Sequence, residues 1–139
     1  MTDELAQVKE RLALSRDKFH TLTMALARTL GEGIVLCAMD GKVVQANQAY
    51  QDMLGYSLKQ LHKKTYQELT PAKWRDLEDK LREEQVMQKG WCEVYEKEYI
   101  KSDGTVFPVR TQAWLVRDES GRPLYLLGIV RDISGEAGV

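Results

Sequence analysis

Apolar residues recur with two different spacings along this chain, and the change of spacing divides it into parts. Residues 3–30 contain neither Gly nor Pro, and their apolar residues return every three or four positions. This spacing predicts an amphipathic helix over residues 1–30 with a narrow apolar stripe, typical of helices that pair with a partner helix. The stripe includes Leu12, Phe19, Leu22 and Leu26. It either pairs two subunits or lies on the sheet of its own chain, and both arrangements can hold together.

Two strands are predicted directly after the break at Gly31. The apolar run at residues 34–39 is typical of a buried strand. Asp40-Gly41 then predicts a tight turn into a second strand at residues 42–46, because Gly accepts the backbone conformation that a sharp reversal needs.

Two helices are predicted after these strands, with one or two helical turns between them at residues 56–69. Asn47 is well placed to cap a short helix that ends at Leu54, because its side chain can accept a backbone N–H of the first turn. Thr70 is placed to cap a longer helix with Pro71 at its first position, and this helix runs to about Lys89.

The last third of the chain, from Trp91 to Ser134, predicts three antiparallel strands. Asp-Gly occurs in the turn at residues 102–104. The turn at residues 118–123 contains Gly121 and, two positions later, Pro123. Two groups of strands with helices between them predict an α+β domain with one five-stranded antiparallel sheet.

Composition narrows the class of protein. The 139 residues are 43% hydrophobic and 29% charged, with a net charge of −1, so no basic surface for nucleic acid is indicated. No stretch is long and apolar enough for a membrane span, and we expect a soluble, cytoplasmic protein. The two cysteines lie in apolar runs, which favours buried reduced thiols, and no metal-ligand cluster is visible.

Four segments, in the same order and with similar spacing, resemble PAS sensory domains. They are Gly33–Tyr50, Leu54–Leu58, Lys101–Val109 and Gly128–Ser134. The resemblance implies a PAS domain at residues 31–134, after the helix of residues 1–30 and before a tail at 135–139. It also implies the strand order 2-1-5-4-3, with helices over one face around a small pocket. The opposite face of such a sheet typically takes a flanking helix or a second subunit.

The resemblance further implies a sensor or regulatory module of a larger signalling protein, such as a two-component histidine kinase or a diguanylate cyclase of cyclic-di-GMP signalling. We expect no catalytic residues here, a homodimer formed through the N-terminal helix and the outer sheet face, and an output domain outside this chain. A ligand-free dimerisation module is the first alternative. A flavin or haem redox or gas sensor is the second.

Two family features bear on cofactors. Light-sensing relatives carry a flavin-reactive Cys just before the long helix, but residues 64–70 contain none, which argues against a photo-adduct. Haem-binding relatives carry an axial His on that helix, but Pro71–Lys89 has none, which argues against haem. A non-covalent flavin and a small organic ligand stay open.

Six residues are predicted to contact such a ligand. The aromatics of the third strand are spaced as if they share one face, and the alternate face carries Glu96 and Glu98, which are costly to bury. The alternation alone leaves open which face looks inward. The six candidates are Trp74, Leu77, Trp91, Tyr95, Tyr99 and Asn47.

The fourth and fifth strands supply the remaining candidates. Alternation along the fourth strand predicts that one set of residues faces the helices and the core, namely Phe107, Val109, Ala113 and Leu115. Trp114 is predicted to point away from the pocket and to pack against the N-terminal helix or its dimer mate. Arg131 and Asp132 match the closing motif of the family, where the strand leaves toward the effector. They form either a polar latch for signal output or an ordinary surface ion pair.

Overall fold

The structure of the protein, a computed structural model, describes residues 31–136. The helix predicted for residues 1–30, with its candidate dimer contacts Leu12, Phe19, Leu22 and Leu26, lies outside the described residues. The prediction for that segment therefore stays a prediction.

Five strands and several helical segments make up the described part. The strands are β1 (Gly33–Ala38), β2 (Val43–Ala46), β3 (Tyr95–Ile100), β4 (Val106–Arg117) and β5 (Pro123–Asp132). The helices are α1 (Gln48–Leu54), α2 (Leu58–Leu61), α3 (Arg75–Leu81) and α4 (Met87–Lys89). A 3-10 turn (Ala72–Trp74) precedes α3 and a π-helical turn (Arg82–Val86) joins α3 to α4, so residues 72–89 form one long helix.

The sheet has the strand order β2-β1-β5-β4-β3, and every neighbouring pair is antiparallel. This confirms the predicted fold and strand order. Glycines at positive φ make the predicted turns, with φ of 97° at Gly41, 89° at Gly104 and 87° at Gly121.

Helix α1 begins and ends as the sequence predicts. The Asn47 side chain accepts from the Tyr50 backbone N–H at 2.9 Å, and Gly55 ends the helix in the left-handed conformation. Asn47 also accepts from the Ile34 N–H at 2.9 Å and donates to the Glu32 carbonyl at 3.0 Å. Its side chain therefore joins α1 to β1.

The start of the long helix differs from the prediction. Pro71 stands at the N-cap rather than in the first turn, and Thr70 makes no cap. The Thr70 hydroxyl donates instead to the Tyr66 carbonyl at 2.8 Å, and the residue is completely buried. A threonine that looks like a cap in sequence thus becomes a polar group of the interior.

The alternation along β4 separates two sheet faces as predicted. Phe107 and Val109 lie in the core under the helices, and Ala113 and Leu115 pack against that core. Trp114 points to the other face, where it pairs with Leu127 of β5. The inner face and the long helix enclose the space described next.

Candidate functional site

A cavity of about 60 Å³ lies between the long helix and the inner face of the sheet. Since one water molecule needs at least about 10 to 15 Å³, the cavity holds a few water molecules at most. Its lining mixes apolar and polar side chains. It includes Val35, Cys37, Tyr66, Glu78, Leu81, Arg82, Val86, Cys92, Tyr95, Lys97, Tyr99, Thr111, Ala113 and Leu126.

A buried ion pair forms the polar centre of this lining. The Lys97 Nζ of β3 lies 2.9 Å from both Oε1 and Oε2 of Glu78 on α3. Their side chains are only 2% and 7% exposed. Burial lowers the pKa of Lys97 below its usual value, and the adjacent Glu78 carboxylate opposes part of that shift. The pair therefore ties the long helix to the edge strand of the sheet.

Two hydroxyl groups complete the network around this pair. Thr70 Oγ1 accepts from Lys97 Nζ at 2.9 Å, and the Tyr95 hydroxyl donates to Glu78 Oε2 at 2.5 Å. Burial, reinforced by the neighbouring carboxylate, raises the pKa of Tyr95 well above its usual value. Lys97 Nζ also lies 4.0 Å from the centroid of the Tyr99 ring.

A tyrosine pair extends the network toward α1. The Tyr50 hydroxyl donates to the Tyr99 hydroxyl at 3.2 Å, and the two rings meet edge to face with centroids 5.8 Å apart. Burial raises the pKa of both hydroxyl groups. The polar contacts thus run through the core from α1 to the long helix.

Arg82 supplies a second cation to the cavity, from the first position of the π-helical turn. Its Nη1 donates to the Tyr66 hydroxyl at 3.3 Å, and its Nη2 donates to the Met39 carbonyl. Residues four apart in a helix lie on the same face. Glu78, Arg82 and Val86, spaced by four, all line the cavity.

The two cysteines are free thiols within the lining. Cys37 is 3% exposed and Cys92 is 1% exposed. Burial raises the pKa of Cys37 to about 12 and also raises that of Cys92. Both groups are therefore protonated at neutral pH and act as small apolar side chains, as the sequence predicts.

The structure brings only two of the six candidate ligand residues to the cavity, Tyr95 and Tyr99. The expectation that Trp91 shares their face is wrong. Trp91 forms an isolated bridge with Trp114, which places it on the outer face, and it is 39% exposed. The irregular backbone between Trp91 and the start of β3 changes the alternation, so that Cys92 points inward in its place.

The other three candidates also lie away from the cavity lining. Trp74 donates its indole N–H to Glu98 Oε1 at 2.9 Å, at the edge strand, and Leu77 is 38% exposed. The inward face of the long helix is centred on Glu78 and Arg82 rather than on these apolar residues. Asn47 keeps its capping role.

The residues that sequence reasoning missed are the charged ones, Glu78, Arg82 and Lys97. Lys97 stands midway between Tyr95 and Tyr99 in the strand and so shares their face. This two-residue spacing is visible in the sequence and could have identified Lys97 as a lining residue. Glu78 and Arg82 carry no such signal, because a charged residue on a helix is usually assigned to its solvated side.

The outer face of the sheet carries an apolar row across four chain segments. Leu36 pairs with Leu127, Leu127 with Trp114, and Trp114 with Trp91. Leu36, at one end of the row, is 5% exposed, and Trp91, at the other end, is 39% exposed. Lys89 covers part of the Trp91 ring, with its Nζ 3.8 Å from the ring centroid. Leu36, Leu127 and Trp114 each stand next to an inner-face residue in the sequence. This apolar row, called the outer row below, therefore lies on the opposite side of the sheet from the cavity.

The end of β5 carries the two residues predicted to act in signal output. Arg131 is exposed and its Nη2 lies 3.5 Å from Glu136 Oε1. Asp132 accepts from both the N–H and the hydroxyl of Ser134, at 2.9 and 2.6 Å. The two side chains thus bind the segment that follows the strand rather than each other.

Within residues 31–136, no His, Cys, Asp or Glu residues are grouped so that they could hold a metal ion. No helix in this part of the chain has the length and apolar character to cross a bilayer.

A comparison with known protein families agrees with the strand order and with the four sequence segments. Residues 31–135 match the family model described as PAS domain. The chain belongs to the PAS domain family. The match starts and ends within two residues of the predicted domain boundaries.

Relatives of this PAS domain occur in larger signalling proteins. A probable diguanylate cyclase, DgcE of Escherichia coli (strain K12), is 33% identical over 105 residues, which cover 73% of this chain and 9% of that protein. The sensor histidine kinase TmoS of Ectopseudomonas mendocina is 26% identical over an alignment of 144 positions, which covers 96% of this chain and 15% of that protein. The chain therefore spans less than a sixth of either relative.

Solved structures support the fold. A PAS domain from Colwellia psychrerythraea has a TM-score of 0.72 and 20% identity, and the match covers 83% of this chain and 98% of that one. A PAS domain from a two-component sensor histidine kinase has a TM-score of 0.66 and 20% identity, covering 85% and 98%.

Proposed function

We propose that this PAS domain is a cytoplasmic, non-catalytic sensor module that binds a small molecule in its cavity and transmits the change to a partner subunit. The output domain would lie outside this chain, as in the kinase and cyclase relatives. The observation that carries the proposal is a cavity with a buried ion pair in its lining, directly under an apolar outer sheet face. Three of its inner-face residues, Val35, Ala113 and Gly128, are chain neighbours of residues in the outer row.

The cavity volume sets the class of molecule. Pockets for drug-sized ligands measure about 300 to 1,000 Å³, whereas this cavity measures about 60 Å³. A flavin or a haem would require the long helix to move away from the sheet. A molecule of a few heavy atoms with polar groups fits the space and the donors as they stand.

Transmission needs a group that contacts both the ligand and the sheet. Lys97 and Glu78 meet this requirement, because both line the cavity and their ion pair joins the long helix to β3. A ligand that alters this contact would bias the position of the edge strand, and it can shift subunit pairing only if it binds one arrangement more tightly. Pairing through residues 1–30 and through Trp114 remains part of the proposal.

A ligand-free dimerisation module is the second candidate, and the small volume of the cavity favours it. In that case the cavity holds only water, which would bridge the hydroxyl groups of its lining. The two candidates differ in whether any small molecule stabilises the protein.

A thermal-shift screen of small polar metabolites tests the proposal, with the variant Ala113→Val as matched control. Ala113 is an inner-face residue of the cavity lining, and two added methyl groups would occupy part of that space. We expect at least one compound to raise the melting temperature of the wild type by several degrees and that of Ala113→Val much less. If no compound stabilises the wild type, or if both proteins respond equally, the sensing role is contradicted.

A further inference from the structure

The cavity contains more unused hydrogen-bond donors than unused anionic acceptors. Lys97 Nζ directs its three protons to Oε1 and Oε2 of Glu78 and to Thr70 Oγ1. Glu78 in turn accepts from Lys97 and from the Tyr95 hydroxyl. These two charged groups neutralise and satisfy each other.

Arg82 is different, because its bonds go only to neutral groups. Its guanidinium has five N–H donors, and its two hydrogen bonds reach the Tyr66 hydroxyl and the Met39 carbonyl. Within residues 31–136 no carboxylate lies within ion-pair distance of Arg82. Residues 31–136 contribute three charged residues to the lining, two cations and one anion, so these residues leave one positive charge without a counter-charge.

Tyr66 adds a second donor beside this charge. Its hydroxyl oxygen accepts from Arg82, and its own proton has no acceptor among the described residues. A carboxylate is the group that matches these two neighbours, because its oxygens accept from a guanidinium fork and from a hydroxyl at the same time.

The remaining space limits what the carboxylate can be attached to. A volume of about 60 Å³ has room for a molecule of only a few non-hydrogen atoms, such as a short aliphatic acid. The apolar part of the lining, with Val35, Val86 and Leu126, would take the tail.

We propose that the cavity binds a short-chain monocarboxylate whose carboxylate accepts from the Arg82 guanidinium and the Tyr66 hydroxyl. This inference rests on the proposed sensing function and names the chemical class of the ligand. Arg82 occupies the π-helical turn, so a bound carboxylate would act on the segment that joins the two halves of the long helix.

Titration of the full chain with sodium propionate tests this, with propionamide as a neutral compound of the same shape and sodium chloride as an ionic control. Amide chemical shifts in two-dimensional NMR report binding. We expect saturable shifts of residues around the cavity with a dissociation constant below about 1 mM. Propionamide should bind at least about tenfold more weakly, because it lacks the charge.

Variants assign the binding to the proposed groups. Arg82→Gln should weaken propionate binding at least about tenfold, Arg82→Lys should have an intermediate effect, and Tyr66→Phe should weaken it about three- to tenfold. Arg110→Gln removes a partly exposed cation of the outer face and should leave the affinity unchanged. If Arg82→Gln does not fold, Tyr66→Phe and the comparison of propionate with propionamide decide the question.

The inference is overturned if propionate leaves the cavity signals of the folded wild type unshifted, or binds Arg82→Gln as tightly as the wild type. If the screen proposed above finds a cavity ligand that is not a carboxylate, the sensing function stands and only the ligand class is wrong. If no compound of any class binds, both proposals fail.

Discussion

Lys97 of the edge strand and Glu78 of the long helix form an ion pair inside the core, with the ammonium nitrogen 2.9 Å from both carboxylate oxygens. Such a pair contributes little net stability when compared with apolar residues of similar volume, but removing one partner leaves a buried charge alone. The pair therefore makes the helix and the sheet dependent on each other.

We expect Glu78→Gln to lower the free energy of unfolding by about 3 to 5 kcal/mol, because it leaves the Lys97 ammonium without a counter-ion. The double variant Glu78→Leu with Lys97→Met removes both charges and should cost less than the sum of the single changes. Urea unfolding at one protein concentration measures all of these. Glu93→Gln is the control, because Glu93 pairs with Lys89 on the surface at 3.6 Å, and it should cost less than about 0.5 kcal/mol. A loss below about 1 kcal/mol for Glu78→Gln would show that the buried pair is not formed.

Stability should fall in alkaline solution, in part through Cys37. Its pKa is about 12 in the folded protein against 9.0 when unperturbed. The unfolded chain therefore releases the thiol proton first, so the contribution is complete below pH 9.0 and is lost progressively as the pH rises toward 12.

The variant Cys37→Ala isolates this contribution. Between pH 7.5 and pH 10 the wild type should lose about 1.4 kcal/mol more than Cys37→Ala, measured by urea unfolding under reducing conditions. Any constant cost of the smaller side chain cancels in that difference. Parallel pH curves for the two proteins would contradict the buried thiol.

Gly33 is required for space rather than for an unusual backbone angle. A Cβ built there would lie 3.2 Å from the Tyr50 Cα and from two side-chain atoms on α1. Gly33→Ala should therefore destabilise the protein by about 1 to 3 kcal/mol, measured by thermal unfolding. Gly135→Ala is the control, since a Cβ at Gly135 meets nothing within 4 Å. Equal stability of the two variants would show that α1 and β1 approach less closely.

The outer row should determine how two copies pair. Trp114→Ala removes the largest side chain at its centre and should weaken self-association at least about tenfold, because buried tryptophans dominate interfaces. Trp74→Phe changes a tryptophan at the sheet edge and should leave the association constant unchanged. Sedimentation equilibrium measures both. Deletion of residues 1–18 in the same assay tests the predicted contribution of the N-terminal helix, and an unchanged dimer would rule that contribution out.

The fold could be predicted because its determinants are local. Asn47, Gly55 and the turns at Gly104 and Gly121 act on their own neighbours in sequence, so their patterns are readable without any long-range information. The alternation along β4 is equally regular and correctly placed Trp114 on the outer face.

The cavity could be predicted only in part, because its residues depend on long-range contacts. Lys97 is buried since Glu78, nineteen positions earlier, supplies the counter-charge, and nothing in either local sequence indicates that pairing. Trp91 was misplaced because the irregular residues before Tyr95 break the strand alternation. Thr70 has the sequence position of a helix cap, but its hydroxyl donates to the Tyr66 carbonyl and accepts from Lys97, which lies on a strand much later in the chain.

Occupation of the cavity should change how two subunits pair across the outer sheet face. The most direct test is the dimer dissociation constant of the full chain, measured by sedimentation equilibrium with and without a compound that raises the melting temperature of the wild type. By linkage, we expect a change of at least about fivefold for the wild type and little change for Ala113→Val. A dissociation constant that stays the same while the compound is bound would show that the cavity is not coupled to subunit pairing.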